Sequence, residues 1–280
     1  MKIGILADCF GLGFEEGIKK AAQMGVHGVQ LYAVEGELAP ENMSAEKRAW
    51  AKNLVKENGL VVSAICGDLG EGGFAFEDRN ADKIAYTKKI VDLAIDLDCH
   101  IITTHIGVVP ADPKHPRYAV MQDACGQLAE YADSVQAHFA VETGPETSAV
   151  LGDFLDGLHS TGVGVNLDPA NLIMSTFDDP VAAVYTLKDY IVHTHAKDGK
   201  KLFDKNPEII YGLVADDALV TDEAFIELPL GDGDVPWERY LAALEEIGYK
   251  GFLTIERECG DNPLADIKKA ADFLKAYIAK

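Results

Sequence analysis

Strand-like and helix-like segments alternate eight times along this chain of 280 residues. Each strand-like run is short and β-prone, and each is followed by a stretch with apolar residues at three- and four-residue spacing. The predicted strands are Lys2–Ala7, Gly28–Ala33, Leu60–Cys66, His100–His105, Phe139–Glu142, Val163–Asp168, Ile191–His195 and Phe252–Glu256. The predicted helices are Phe14–Met24, Ala45–Glu57, Lys83–Leu97, Tyr118–Val135, Ala149–Leu158, Val181–Leu187, Trp237–Ile247 and Leu264–Ile278. Such alternation predicts an α/β fold, a single (β/α)8 barrel; a doubly wound sheet with added units is the competing fold.

The seventh unit is longer than the others, because residues 199–230 stand between its strand and its helix. This insertion contains Tyr211, Asp216 and Asp217 and lies on the side where barrel enzymes build covers over their active sites. A surface decoration without a role is the alternative. No linker or low-complexity tract suggests a boundary, so we expect one domain over residues 1–280.

The composition excludes several classes of protein. The formal net charge of −21 would repel a phosphate backbone, so we expect no nucleic-acid partner. There is no apolar run long enough to cross a membrane and no signal peptide pattern at the start of the chain. An odd number of cysteines without close pairs predicts reduced thiols in a cytoplasmic protein. They are Cys9, Cys66, Cys99, Cys125 and Cys259.

Four predicted strands end in residues of types that commonly serve as metal ligands. These are Glu142, Asp168, His195 and Glu256. In a parallel barrel the carboxyl ends of all strands meet at one face, so we expect the four side chains to lie close together. A hard divalent cation prefers such an oxygen-rich set. Strand ends are also polar simply because they meet solvent, but four such residues in register favour a metal site.

Further polar residues at the same face are candidates for contact with a substrate. His105 closes the fourth strand, where it could bind a substrate hydroxyl or pack at the barrel rim. Lys197 could hold an anionic or hydroxyl oxygen, or form an ordinary surface pair with Asp198. Alternation along the last strand points Arg257 away from the face of Glu256 and points Glu258 back toward the pocket mouth. Arg257 remains a candidate because it could reach an anionic group.

Short motifs at these strand ends carry a resemblance that spans nearly the whole chain. They are Gly28-Val29-Gln30-Leu31, Thr104-His105-Ile106-Gly107, Val141-Glu142-Thr143-Gly144, Asn166-Leu167-Asp168-Pro169-Ala170-Asn171, His195-Ala196-Lys197-Asp198, Leu230-Gly231-Asp232-Gly233-Asp234 and Gly248-Tyr249-Lys250-Gly251-Phe252. In these motifs the chain resembles the xylose isomerase-like superfamily of TIM barrels. That superfamily holds sugar and sugar-phosphate isomerases, ketose 3-epimerases, inosose dehydratases and apurinic-site endonucleases.

The resemblance implies a metal-dependent sugar isomerase or epimerase. Glu142, Asp168, His195 and Glu256 would bind one divalent ion, Mn, Mg, Co or Zn. Glu142 and Glu256 would exchange a proton next to a carbonyl through a metal-stabilised enediolate, and the substrate-binding candidates are His105, Asn171, Lys197 and Arg257. The resemblance also implies a carbohydrate substrate. It is compatible with a homo-oligomer, because family members are frequently dimers or tetramers.

Two other classes of function remain open. A metal-dependent dehydratase or lyase acting on a keto-sugar or inosose would use the same enediolate, with His105 as a candidate acid. A non-catalytic sugar-binding protein would keep the pocket and lose the metal.

The sequence departs from the family pattern in several places. Gln30 stands where the family commonly has Glu, Asn171 where epimerases and endonucleases usually have His, and Lys201 where some ketose epimerases have Arg. The histidines of a trinuclear zinc site are missing. Three carboxylates exceed the charge of one dication, which favours a neutral sugar or cyclitol over a sugar phosphate unless Lys197, Lys200 or Arg257 reaches the substrate.

Overall fold

Eight parallel strands close into a barrel in this computed structural model, which describes residues 1–216 and 223–278. The barrel strands are β1 (Lys2–Leu6), β2 (Gly28–Tyr32), β3 (Val61–Cys66), β4 (Ile101–Thr104), β5 (His138–Glu142), β6 (Val163–Leu167), β7 (Ile191–Ala196) and β10 (Phe252–Ile255). Their spatial order is β1-β10-β7-β6-β5-β4-β3-β2. The predicted (β/α)8 barrel is confirmed, and the doubly wound alternative is wrong.

Helices connect the barrel strands. They are α1 (Phe14–Gln23), α2 (Ala45–Glu57), α3 (Glu77–Asp96), α4 (Pro116–Ser134), α5 (Ser148–Asp156), α6 (Pro169–Asn171), α7 (Pro180–Thr186), α9 (Trp237–Glu246) and α10 (Pro263–Ile278). The start predicted for α3, Lys83, is too late. The first turns of α3 are polar and carry Glu77 and Asp78, which favour a helix N-terminus but contribute no apolar periodicity.

The apolar core lies inside the barrel and between the strands and their helices. Ile5, Val29, Phe139 and Leu253 are buried on the strands, and Ile18 is buried on the first helix. Burial of this layer is the main favourable contribution to folding. Within the described ranges, none of the helices has the length and apolar character that a membrane crossing requires.

The insertion after β7 forms a small antiparallel sheet that the sequence analysis did not predict. Its strands are β8 (Asp198–Lys201) and β9 (Phe225–Leu228), with the short helix α8 (Pro207–Ile210) between them. Asp217 lies outside the described residues. Ile210, Tyr211, Phe225 and Glu227 contribute to one cavity together with residues at the barrel strand ends. The insertion therefore lies over the carboxyl-terminal face of the barrel.

The strand register shifts at two positions beside this face. One extra residue stands in β3 where it pairs with Gln30, and another stands in β7 where it pairs with Asn166. Such irregularities re-aim side chains and are common near active sites. Both Gln30 and Asn166 contact His195.

Candidate active site

Four metal-ligand residues from four neighbouring strands form one buried cluster. Glu142, Asp168, His195 and Glu256 each offer a ligand atom, and these atoms all lie within 4.8 Å of one another. His195 Nδ1 lies 3.3 Å from Glu142 Oε1, 3.5 Å from Asp168 Oδ2 and 3.1 Å from Glu256 Oε2. The structure thus brings together all four residues that the strand-end pattern singled out.

Asp168 also caps the short helix that follows β6. Its Oδ1 accepts hydrogen bonds from the backbone N–H groups of Ala170 (2.8 Å) and Asn171 (2.9 Å), and Pro169 occupies the first turn, where no N–H is needed. Its Oδ2 is buried and accepts no hydrogen bond. The cap thus fixes one carboxylate oxygen and leaves the other directed at the cluster.

Two asparagines hold the Glu142 carboxylate. Asn166 donates its amide to Oε2 and Asn171 donates its amide to Oε1, each over 3.0 Å. Gly144 makes this arrangement possible, because a Cβ there would lie 2.6 Å from both Asn171 Cβ and the Tyr211 hydroxyl, and its φ is +135°. The turn after Glu142 is therefore packed directly against the insertion.

His195 is oriented by a residue on the opposite side of the cluster. Its Nε2 lies 3.0 Å from Gln30 Oε1, and the Gln30 amide nitrogen donates to Thr103 Oγ1 over 3.1 Å. Because the Gln30 amide is held in this orientation, its oxygen accepts a hydrogen bond from His195 Nε2–H. Nδ1 is then the nitrogen with a free lone pair, and it is the nitrogen that faces the carboxylates.

The electrostatics of the cluster favour a positive charge at its centre. Burial opposes charge on His195, yet Glu256 and Glu142 outweigh it and raise the pKa of His195 well above its ordinary value. Burial raises the pKa of Asp168, whereas at Glu256 it is outweighed by His195 and Lys197, which lower the pKa of that carboxyl. The three carboxylates, of which Asp168 has an oxygen without a hydrogen-bond partner, and the imidazole nitrogen together fit a divalent cation.

A cavity of about 320 Å³ opens above the cluster. Of the predicted substrate-binding residues, His105, Asn171 and Lys197 line it. His105 Nε2 lies 3.6 Å from Glu142 Oε1, and its buried Nδ1 has no hydrogen-bond partner. The volume lies at the lower end of the range for small-molecule sites.

Arg257 is not among the cavity residues. Its guanidinium donates to Glu227 Oε1 over 2.7 Å and to Asp266 Oδ2 over 2.9 Å. This agrees with the strand alternation, which points Arg257 away from the face of Glu256, while Glu258 lines the cavity. The structure therefore places Arg257 where it orients Glu227, away from a substrate.

Several cavity residues escaped the sequence analysis as site candidates. Asp68, Glu227 and Tyr211 line the cavity, and the Tyr211 ring packs edge-on against His105 with ring centroids 5.1 Å apart. Tyr211 and Glu227 belong to the insertion, for which no strand pattern was recognised. Asn166 appeared only within a motif, and Gln30 only within a motif and as a departure from the family pattern. Their hydrogen bonds cross the barrel and leave no trace in local spacing.

Three known proteins are similar to this chain in sequence or in structure. The L-ribulose-5-phosphate 3-epimerase UlaE of Escherichia coli (strain K12) is 24% identical over 279 residues, covering 95% of this chain and 90% of that protein. A xylose isomerase domain protein from Planctomyces limnophilus has a similar structure, with a TM-score of 0.80, 28% identity and coverage of 98% of this chain and 95% of that one. D-psicose 3-epimerase from Clostridium cellulolyticum H10 shares the fold, with a TM-score of 0.72, 18% identity and coverage of 99% of both chains.

The family model described as xylose isomerase-like TIM barrel matches residues 18–277 of this chain. That range begins in α1 and ends in α10, and it includes all four residues of the buried cluster. The chain belongs to the xylose isomerase-like TIM barrel family.

Proposed function

We propose that the chain is a divalent-metal-dependent sugar isomerase or epimerase that transfers a proton at a carbon next to a carbonyl. The observation that carries this proposal is the buried cluster of Glu142, Asp168, His195 and Glu256 beneath a small, partly enclosed cavity. The similarity to an L-ribulose-5-phosphate 3-epimerase over 95% of the chain supports the same class of reaction.

Each of the four side chains has a defined part in holding the ion. Asp168 would offer its unpartnered Oδ2, His195 its Nδ1, and Glu142 and Glu256 one carboxylate oxygen each. The ion, Mn, Mg, Co or Zn, would supply positive charge next to the oxygens of the substrate.

Glu142 and Glu256 are the proposed proton carriers. Both line the cavity, whereas Asp168 and His195 lie beneath it. Neighbouring positive charge outweighs burial and lowers the pKa of both carboxyls, which favours the ionised form that accepts a proton. One would remove the proton from the substrate to give an enediolate, and the other would return a proton to the opposite side of the carbon.

His105 and Asn171 are the proposed contacts for substrate hydroxyls. The Asn171 amide is already committed to Glu142 over 3.0 Å, so it would orient the carboxylate and present its oxygen to the substrate. His105 is held between Glu142 and the Tyr211 ring, and we propose the insertion as the cover of the site.

A second candidate, a dehydratase or lyase, is favoured by one observation. The imidazole of His105 lines the cavity with its Nε2 3.6 Å from Glu142 Oε1, so in its protonated form it could protonate a leaving hydroxyl. The two reactions differ in their products. An epimerase keeps the mass of the substrate, whereas a dehydratase releases water.

The test is a reaction in D₂O with manganese-supplemented protein and a panel of ketopentoses, ketohexoses and inososes. We expect an epimer or aldose isomer that carries deuterium at the reacting carbon, seen by NMR and mass spectrometry. Loss of water without an epimer would select the dehydratase. Absence of deuterium exchange across the panel would count against both enzymes.

A further inference from the structure

The single lysine that lines the cavity, within the described residues, is paired with carboxylates of the chain itself. Lys197 Nζ lies 2.6 Å from Glu258 Oε2, 3.2 Å from Glu256 Oε2 and 3.6 Å from Glu227 Oε2. Lys197 is buried, and an ammonium group carries three protons. Glu258 and Glu256 accept hydrogen bonds from Lys197, and Glu227 lies within ion-pair distance. The three carboxylates therefore neutralise the cation that the sequence analysis offered to an anionic substrate.

The other nearby cations are also bound elsewhere. Arg257 pairs with Glu227 and Asp266, and Lys200 lies 3.7 Å from Asp234 on the exposed side of β8. Lys201 donates to the Ser175 carbonyl over 3.3 Å and pairs with Asp204. Residues 217–222 of the insertion contain neither lysine nor arginine.

The loop after β7 has its backbone donors occupied by a carboxylate of the chain itself. In (β/α)8 barrels a phosphate is often bound by backbone N–H groups of the loops after the last two strands. Here the buried Asp198 carboxylate accepts from the N–H groups of Gly199 (2.9 Å), Gly231 (2.8 Å) and Val235 (3.2 Å) and from the Trp237 indole (2.8 Å). These four donors are therefore already bound to a carboxylate of the chain.

Gly233 allows the Asp198 carboxylate to lie close to the backbone of the loop. A Cβ at Gly233 would lie 1.9 Å from Asp198 Oδ1, so only glycine leaves room for the carboxylate. The sequence Leu230-Gly231-Asp232-Gly233-Asp234 thus wraps around an internal anion. Within this motif the Gly231 amide is bound to Asp198, and the amides of Asp232 and Asp234 are bound to backbone carbonyls.

The walls of the cavity are acidic. Carboxylates outnumber positive charges there even after a dication is added to Lys197; those lining it are Asp68, Glu142, Glu227, Glu256 and Glu258. Like charges held close together in a partly enclosed site cost several kcal/mol and reject the wrong ligand. A phosphate group would meet this potential, and the one lysine among the described lining residues is already paired with carboxylates.

We infer that the cavity takes an uncharged polyhydroxy ketone, a free ketose or cyclitol ketone, and excludes the phosphate ester of the same sugar. This inference rests on the proposed function for the identity of the site, and it separates the chain from the L-ribulose-5-phosphate 3-epimerase that it resembles. The carboxylates around Lys197 and the Asp198 carboxylate in the loop after β7 together produce the selection.

Binding, measured apart from turnover, tests the inference. Manganese-loaded protein is titrated calorimetrically with matched pairs of free and phosphorylated sugar: L-ribulose and L-ribulose 5-phosphate, D-xylulose and D-xylulose 5-phosphate, D-fructose and D-fructose 6-phosphate. We expect at least one free ketose to bind about 100-fold or more tightly than its phosphate, in line with the cost of like charges brought together. Equal or tighter binding of a phosphate, or no binding of any free ketose, would overturn the inference.

A rim variant sharpens the experiment. Glu258→Gln removes a cavity carboxylate that is 61% exposed and lies outside the four-residue cluster. It should reduce the ratio of the affinity for the free sugar to the affinity for its phosphate by about 10-fold. The exposed Glu238→Gln should leave this ratio of affinities unchanged. An unchanged ratio in Glu258→Gln would contradict the electrostatic cause.

The experiments can contradict the proposed function and the substrate selection independently of each other. If a free ketose binds but is neither epimerised nor isomerised, the proposed function fails and the substrate selection stands. If a sugar phosphate is converted, the substrate selection fails and the proposed function stands.

Discussion

Gln30 Oε1 accepts a hydrogen bond from His195 Nε2 over 3.0 Å, across the interior of the barrel. Gln30 is in turn held by Thr103 on β4, so the orientation of His195 depends on two strands far from its own. Partners of this kind orient a metal ligand and fix which ring nitrogen is available. Gln30 is therefore a positioning residue for the proposed metal site.

Replacing Gln30 by a residue without an acceptor should weaken metal binding. Gln30→Leu replaces the amide with an apolar side chain and leaves the His195 Nε2 proton without this acceptor. We expect manganese affinity to fall about 10- to 100-fold in calorimetry. The exposed Gln127→Ala is the control and should bind as wild type does. Affinity within twofold of wild type in Gln30→Leu would show that the hydrogen bond is not needed.

The two-glutamate scheme makes Glu256 essential to turnover. Glu256→Gln cannot accept a proton, and we expect kcat on any converted sugar to fall by about 10²- to 10⁴-fold. The assay is conversion at saturating manganese, with metal content measured on the same sample so that loss of the ion and loss of the base can be told apart. Full turnover by Glu256→Gln would rule the scheme out.

A buried carboxyl near the site should make stability fall as pH rises. Glu146 is buried, its Oε2 accepts from the Val109 N–H over 2.9 Å, and its Oε1 has no partner. Burial raises the pKa of Glu146 from 4.5 to about 8. The stabilisation is complete below about pH 4.5 and is lost as pH rises toward 8, because the native state must then ionise a buried group.

Glu146→Gln removes this dependence while it keeps an acceptor for Val109. The free energy of unfolding of wild type minus that of the variant should fall by about 1.4 kcal/mol per pH unit between pH 5 and 8. Urea denaturation of both proteins at each pH measures the difference, and other titrating groups, including the neighbouring His105, largely cancel. A difference that stays flat across this range would contradict the assignment.

The internal anion of the loop after β7 should be important for stability. Asp198→Asn turns one acceptor oxygen into an N–H donor that faces other donors, and we expect a loss of about 3 kcal/mol in the free energy of unfolding. Asp204→Asn, whose side chain is 97% exposed, is the matched control and should change stability by less than about 0.5 kcal/mol. Equal stability of the two variants would show that Asp198 is not holding the loop.

Much of the barrel could be predicted from the sequence, because each strand and helix is indicated by the pattern of residues within its own short segment. Each predicted barrel strand agrees with the structure within one residue at either end, since short β-prone runs are bounded by helices of clear period. The cluster of Glu142, Asp168, His195 and Glu256 followed from one rule, that parallel strands end at the same face.

What escaped prediction depends on contacts between distant segments. Gln30 and Asn166 meet His195 only because the strand register shifts beside them. Glu227 reaches the cavity through a sheet whose two strands are separated by more than 20 residues, and no turn signal joins them. The sequence offered Lys197 either to a substrate oxygen or to a surface pair with Asp198, whereas three carboxylates from other elements surround it.

Metal content tests the central claim most directly. Purified wild type, Glu142→Ala and Glu146→Gln are dialysed against manganese and analysed for bound metal, with circular dichroism as a check on folding. Glu146→Gln changes a carboxyl four residues from the cluster and leaves the four ligands intact. The account predicts about one ion per chain in wild type and Glu146→Gln and none in Glu142→Ala. No bound metal in wild type, or an undiminished content in Glu142→Ala, would contradict it.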